Sequence, residues 1–208
     1  MVNKQNKYIL ALALMLCCIW AVPFAKAQSL PVRFAASGDI RWSVAMVDEY
    51  FTRSGTAYHH DTALSSLGMA LSAFRAKEGN LHQKGDNICA YLQSAGFQDI
   101  VLTQYDVEPT VRTIATAMAH KEIKMGEQSF QLLAVAVSGG GYQDEWKSNF
   151  SIGNSQHHEG FDQAAWQVVE RIIRYTSAYQ LQGAKVWIAG YSRAAATSNR
   201  TAAWSKPS

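Results

Sequence analysis

After Ser192 the chain offers no histidine, aspartate or glutamate up to its last residue, Ser208. Cysteine is scarce as well. Of three cysteines, Cys17 and Cys18 lie in an N-terminal apolar run, which leaves Cys89 alone in the rest of the chain. A single thiol excludes an internal disulfide framework. An excess of one charge is also missing. The formal net charge is +3, but Lys4, Lys7 and Lys26 all precede Gln28, and beyond that point basic and acidic residues balance. That balance argues against an electrostatic nucleic-acid binder, which needs a basic face for the phosphates. The longest apolar run, Tyr8 to Val22, falls short of the roughly 20 residues of a membrane span. No Lys-Ser or Lys-Thr directly follows the glycine cluster at 139–141 as a P-loop requires, so that loop is not a phosphate cradle. Internal repeats and low-complexity stretches are absent.

What is present first is a leader. Lys4 and Lys7, the apolar run and Ala25-Lys26-Ala27 give the basic start, the core and the A-x-A site of a secretory signal. Residues 1–27 are therefore expected to be a cleaved signal peptide, with Gln28 first in a secreted or periplasmic protein; a retained anchor is the other reading. Cys17 and Cys18 lack the small residue that precedes a lipid-modified cysteine. Export without disulfides fits a bacterial protein.

The remainder reads as an α/β domain. Residues 28–57 show little period and are expected to wrap the surface. Asp61 is the expected N-cap of a helix whose inner face is Leu64, Leu67, Leu71 and Phe74. A second helix is expected over Asp86–Ala95, with Ile88, Tyr91 and Leu92 inward, Gly96 as its stop, and Cys89 as a buried thiol on its apolar side. Strands are expected over Ile100–Gln104, Arg112–Ile123 and Phe130–Val137, the last two forming a hairpin around Gly126. The unbroken run Leu132–Val137 is the mark of a strand covered on both faces, as in a mostly parallel sheet. Phe161, Ala165, Val168, Ile172, Tyr175 and Tyr179 recur at helical spacing, with Asp162 at the positive end. Gly183 turns the chain into a short strand, Lys185–Ala189.

The chemistry gathers at three places. Gly190-Tyr191-Ser192-Arg193-Ala194 stands between that strand and Ala194-Ala195-Ala196, which opens a helix. Strand, small residue, serine, small residue, helix is the setting of a nucleophile elbow, in which the amide of Arg193 faces a developing oxyanion. The plain alternative is an ordinary strand-to-helix turn. Ser138-Gly139-Gly140-Gly141 ends a buried strand, where an oxyanion hole draws its second donor; Gly139 or Gly140 is the candidate. By themselves three glycines mark only a flexible loop. His157-His158-Glu159-Gly160-Phe161 admits a metal reading and a structural one. Adjacent residues seldom converge on one ion, so His158 is expected to position the loop and Phe161 to staple the helix; no metal is expected.

Taken in order, the Leu133–Gly140 strand and loop, His158-Glu159-Gly160-Phe161 and Gly190–Ala194 resemble the class 3 lipases, the fungal-lipase-like branch of the α/β-hydrolases. The resemblance covers roughly residues 110 to 205, about half of the chain. The segment Gly141–Phe150 looks like a bacterial subgroup of lipase-like proteins. Ala194 stands where glycine is common, and Tyr191 where histidine is common. The resemblance implies an α/β-hydrolase-type, mostly parallel sheet flanked by helices, a covering region over 28–109 and a hydrolase core over 110–208. It implies Ser192 as nucleophile and backbone donors near Ser138 or Gly139 and at Arg193, acting on small-molecule or lipid esters without a cofactor. It also implies an aspartate and a histidine downstream of Ser192. The expectation is thus a C-terminally truncated, inactive chain in which Lys185–Ala189 is an exposed sheet edge. A non-catalytic binding protein that retains the fold is the rival reading, and acyl transfer instead of hydrolysis is a third.

Overall fold

The computed structural model describes residues 27–34, 40–53, 55–75, 84–107, 113–125, 127–139 and 159–204. The expected leader (apart from Ala27), Gly126, Gly140 and Gly141–Phe150, His82, His157 and His158 lie outside the described residues.

A four-stranded sheet in the order β3-β4-β5-β6 organises the chain. Its strands are β3 (Gln98–Thr103), β4 (Thr116–Met125), β5 (Gln128–Val137) and β6 (Lys185–Gly190). The hairpin expected around position 126 is β4–β5, paired from Met125↔Gln128 to Thr116↔Val137. β3 pairs antiparallel with β4, and only β5 and β6 run parallel. The sheet is therefore mixed, not mostly parallel. An apolar run such as Leu132–Val137 reports that a strand is covered twice; it does not report the direction of its neighbours.

Both coverings of β5 are seen. Leu132, Ala134 and Ala136 belong to one buried cluster, and Leu133, Val135 and Val137 to another. The second is closed by α3 (Glu159–Ala178), through Ala164, Val168, Ile172 and Tyr175, and by Ala194 of α4 (Arg193–Trp204). Tyr179, expected inward, lies past the end of α3 and is 36% exposed. The first cluster holds α1 (His60–Ser72), α2 (Asp86–Ser94) and a two-stranded antiparallel ribbon, β1 (Gln28–Phe34) with β2 (Ile40–Met46).

That ribbon corrects the expectation of an unstructured wrapping. Leu30 and Val32 of β1, and Val44 and Met46 of β2, alternate into the core. The period of two was present, at Leu30, Val32 and Phe34 and at Ile40, Trp42, Val44 and Met46, but Ile40 and Trp42 at the far end of the ribbon are exposed. The inner face of α1 is corrected too. Leu64 and Leu67 are exposed, and Ser65, Gly68, Met69 and Ser72 are buried. The helix presents its small residues so that it can approach the ribbon closely: a Cβ on Gly68 would stand 2.8 Å from Val32 Cγ2. α1 begins at His60 behind His59, with no side-chain cap; Asp61 instead accepts a bond from Tyr50 Oη at 3.3 Å. α2 follows expectation, burying Ile88, Tyr91 and Leu92. Its end at Gly96, with φ of 78°, is closed by Gly96 N–H to Gln93 O and Phe97 N–H to Leu92 O, both 3.0 Å. Cys89 is half-buried rather than buried, and its thiol is pushed up first by desolvation and then by Asp86.

Candidate active site at the turn from β6 to α4

Two residues, Tyr191 and Ser192, separate the end of β6 from the start of α4. The turn is tight enough to push Ser192 into the left-handed region, with φ of 60°. A side chain there costs roughly 1–2 kcal/mol, and such strain is found where the surroundings over-determine the backbone, often at functional positions. Two contacts do so here. The Ser192 carbonyl accepts from Ala195 N–H at 2.9 Å, which fixes the first turn of α4. Gly190 and Ala194 lie against one another: a Cβ on Gly190 would stand 2.5 Å from Ala194 O and 2.8 Å from Ala194 Cβ. That explains why the positions two before and two after the serine carry small residues. Ala194 is fully buried, while Ser192 and Tyr191 are exposed.

The strand register brings the glycine loop to the same place. Val137 of β5 is level with Gly190 of β6, so Ser138 and Gly139 emerge beside Tyr191 and Ser192. Gly139 is in close contact there; its missing Cβ would meet Tyr191 O at 2.9 Å and Phe74 Cζ at 2.6 Å. Ser138 is buried, and its amide is committed to Ala115 O at 2.9 Å. The Ser138 amide is therefore not free to face Ser192. Three rings cluster beside the turn. Phe74 meets Phe34 edge-on at 5.1 Å between centroids and Tyr191 at 5.8 Å.

Gly160 and Phe161, expected as structural supports, lie in the first turn of α3 and are partly buried. Next to them Asp162 does more than favour the helix dipole. It takes a 2.6 Å ion pair from Arg200 Nε, joining α3 to α4.

Arg193 was expected to matter through its amide alone. Its side chain, however, is buried and turned inward, donating from Nη1 to Thr113 O at 3.1 Å. Nothing in the local pattern signals this, because a charged residue next to an exposed serine reads as solvated. Arg171 of α3 is the second inward arginine. It bonds Ile114 O, Thr116 Oγ1 at 3.1 Å and Gln104 Oε1 at 2.8 Å, and desolvation, foremost, lowers its pKa to about 10.

The described imidazoles are engaged elsewhere. His59 stacks on Tyr50, His60 meets the Tyr58 hydroxyl at 3.2 Å, and His120 shares a hydrogen bond with Tyr175 at 3.0 Å. Among the described residues, none is hydrogen bonded to Ser192. A cleft of about 740 Å³ bordered by Tyr50, Tyr58, His59 and Trp187 opens at the Lys185 end of β6, the far end from Ser192. Compared with protein-family models, curated proteins and solved structures, the chain matches none of them.

Proposed function

We propose that this chain carries the nucleophile elbow and oxyanion loop of a secreted serine hydrolase of the α/β-hydrolase type, acting on carboxylic esters through an acyl-enzyme. The observation that carries the reading is the left-handed backbone of Ser192 on a strand-to-helix turn, with Gly190 and Ala194 in contact beneath it. A solvent-exposed turn gains nothing from a strained serine, whereas a nucleophile held up at a sheet end requires that conformation.

The chemistry divides among few groups. Ser192 Oγ attacks the ester carbonyl carbon and loses its proton to a base. The carbonyl oxygen becomes an oxyanion facing the amides of Arg193, at the N-terminus of α4, and of Gly139. Collapse of the tetrahedral species expels the alcohol, and water releases the acid. Phe74 and Tyr191 border the loop and suit an apolar acyl group. Because no imidazole or carboxylate among the described residues bonds Ser192, the chain by itself should show only the residual rate that oxyanion donors and binding provide. That same observation favours the second reading, a binding protein that retains the fold.

Supplying the base separates the two. Hydrolysis of p-nitrophenyl butyrate by residues 28–208 should rise with added imidazole above the imidazole-only background, and Ser192→Ala should abolish the increment. Identical rates for the two proteins at every imidazole concentration would leave the binding reading standing. Rapid Ser192-dependent turnover without imidazole would overturn the expectation of inactivity.

A further inference from the structure

The stretch Thr113-Ile114-Ala115 precedes β4, has no ladder partner of its own, and is nonetheless buried throughout, as is Thr116. Buried backbone outside a ladder must find its hydrogen bonds elsewhere. Here the partners are few and specific. Thr113 O is taken by Arg193 Nη1 at 3.1 Å, Ile114 O by Arg171, and Ala115 O by the amide of Ser138 at 2.9 Å. Ile114 N–H donates to Gln104 Oε1 at 3.1 Å, and that oxygen also accepts from Arg171 Nη2. Arg171 reaches Thr116 Oγ1 as well.

This one short segment is thus bonded both to the residue after the nucleophile and to the residue before Gly139. A buried guanidinium, that of Arg193, and a half-buried one, that of Arg171, are costly unless their donors are used. A leucine would fill the volume under the elbow more cheaply. What arginine adds is a planar fork that fixes direction. We propose that Arg193 is a positioning residue for the oxyanion site described above. Its side chain and that of Arg171 clamp segment 113–116, and the clamp sets the amides of Arg193 and Gly139 against one reference. The inference rests on the esterase reading for its purpose, but the clamp itself is measurable without any catalysis.

Amide hydrogen exchange on the intact chain tests it. Arg193→Met keeps most of the volume and removes the donors. It should speed exchange of the Ser138 amide about tenfold, as expected for loss of one hydrogen bond of roughly 1.4 kcal/mol, while the Val135 amide, within the strand that Ser138 follows, keeps its protection. Arg193→Lys, which retains charge and a donor, should recover part of the difference and covers the event that Arg193→Met does not fold. Equal exchange of Ser138 in wild type and in either variant, or an equal rise at Ser138 and Val135, overturns the clamp. In the imidazole-supported assay the same substitution should lower kcat about tenfold with KM little changed, the pattern of a group needed only in the transition state. If Ser192→Ala matches wild type there while Ser138 exchange still depends on Arg193, the clamp stands and the esterase reading falls. An unchanged kcat in Arg193→Met against a working Ser192 overturns the positioning role.

Discussion

At the scale of single residues, Ser192 sets stability against geometry. Its φ of 60° is comfortable for glycine and strained for any side chain with a Cβ. Ser192→Gly should therefore be more stable than Ser192→Ala by about 1 kcal/mol, although both lack the hydroxyl. Equal urea midpoints for the two variants would mean that the backbone relaxes in solution and the turn is not strained. The serine and the small residues two positions to either side were legible in the sequence because the requirement is local: a tight turn leaves little room between Gly190 and Ala194. Arg193 was not legible. Its role depends on Thr113 O, eighty residues earlier, and no spacing rule reaches that far.

Among the elements, legibility followed side-chain size. α2 and α3 bury large apolar residues at helical spacing, and β5 buries six in succession, so pattern and packing agree. α1 inverts the rule by turning Leu64 and Leu67 outward and Ser65, Gly68 and Ser72 inward. Hydrophobicity alone cannot find a face chosen for closeness of approach. Gly68→Ala makes the point quantitatively. Helix propensity favours alanine by about 1 kcal/mol, but the added methyl would stand 2.8 Å from Val32 Cγ2, and overpacking costs about 1–3 kcal/mol. The clash should win, giving a net loss of about 1 kcal/mol. Adding Val32→Ala should make the pair less destabilised than the sum of the singles. Strict additivity in thermal or urea unfolding would show that the ribbon and the helix do not touch as described.

For the whole molecule, two buried tyrosines pin α1 to its neighbours. Tyr91 donates to Ser65 O at 2.6 Å and Tyr105 to Ala73 O at 2.8 Å. Burial raises the pKa of both phenols above the ordinary value near 10. The sign follows from proton counting. Above pH 10 the unfolded chain releases phenolic protons that the folded chain retains, so stability falls as pH rises. Each tyrosine contributes a slope of up to about 1.4 kcal/mol per pH unit. Urea midpoints measured between pH 9 and 11.5 should drop steeply for the wild type and less steeply for Tyr91→Phe with Tyr105→Phe; parallel curves would remove the tyrosines from the account. Strand order, by contrast, has no local signature, which is why the sequence did not reveal that the sheet is mixed. That order also carries a consequence in time. β4 and β5 meet across a short turn and close at little entropic expense, whereas β6 reaches β5 only after the crossover through α3 is in place. A chain still folding, or beginning to unfold at that edge, holds a serine but no elbow, so the geometry proposed for catalysis exists only in molecules that have finished folding.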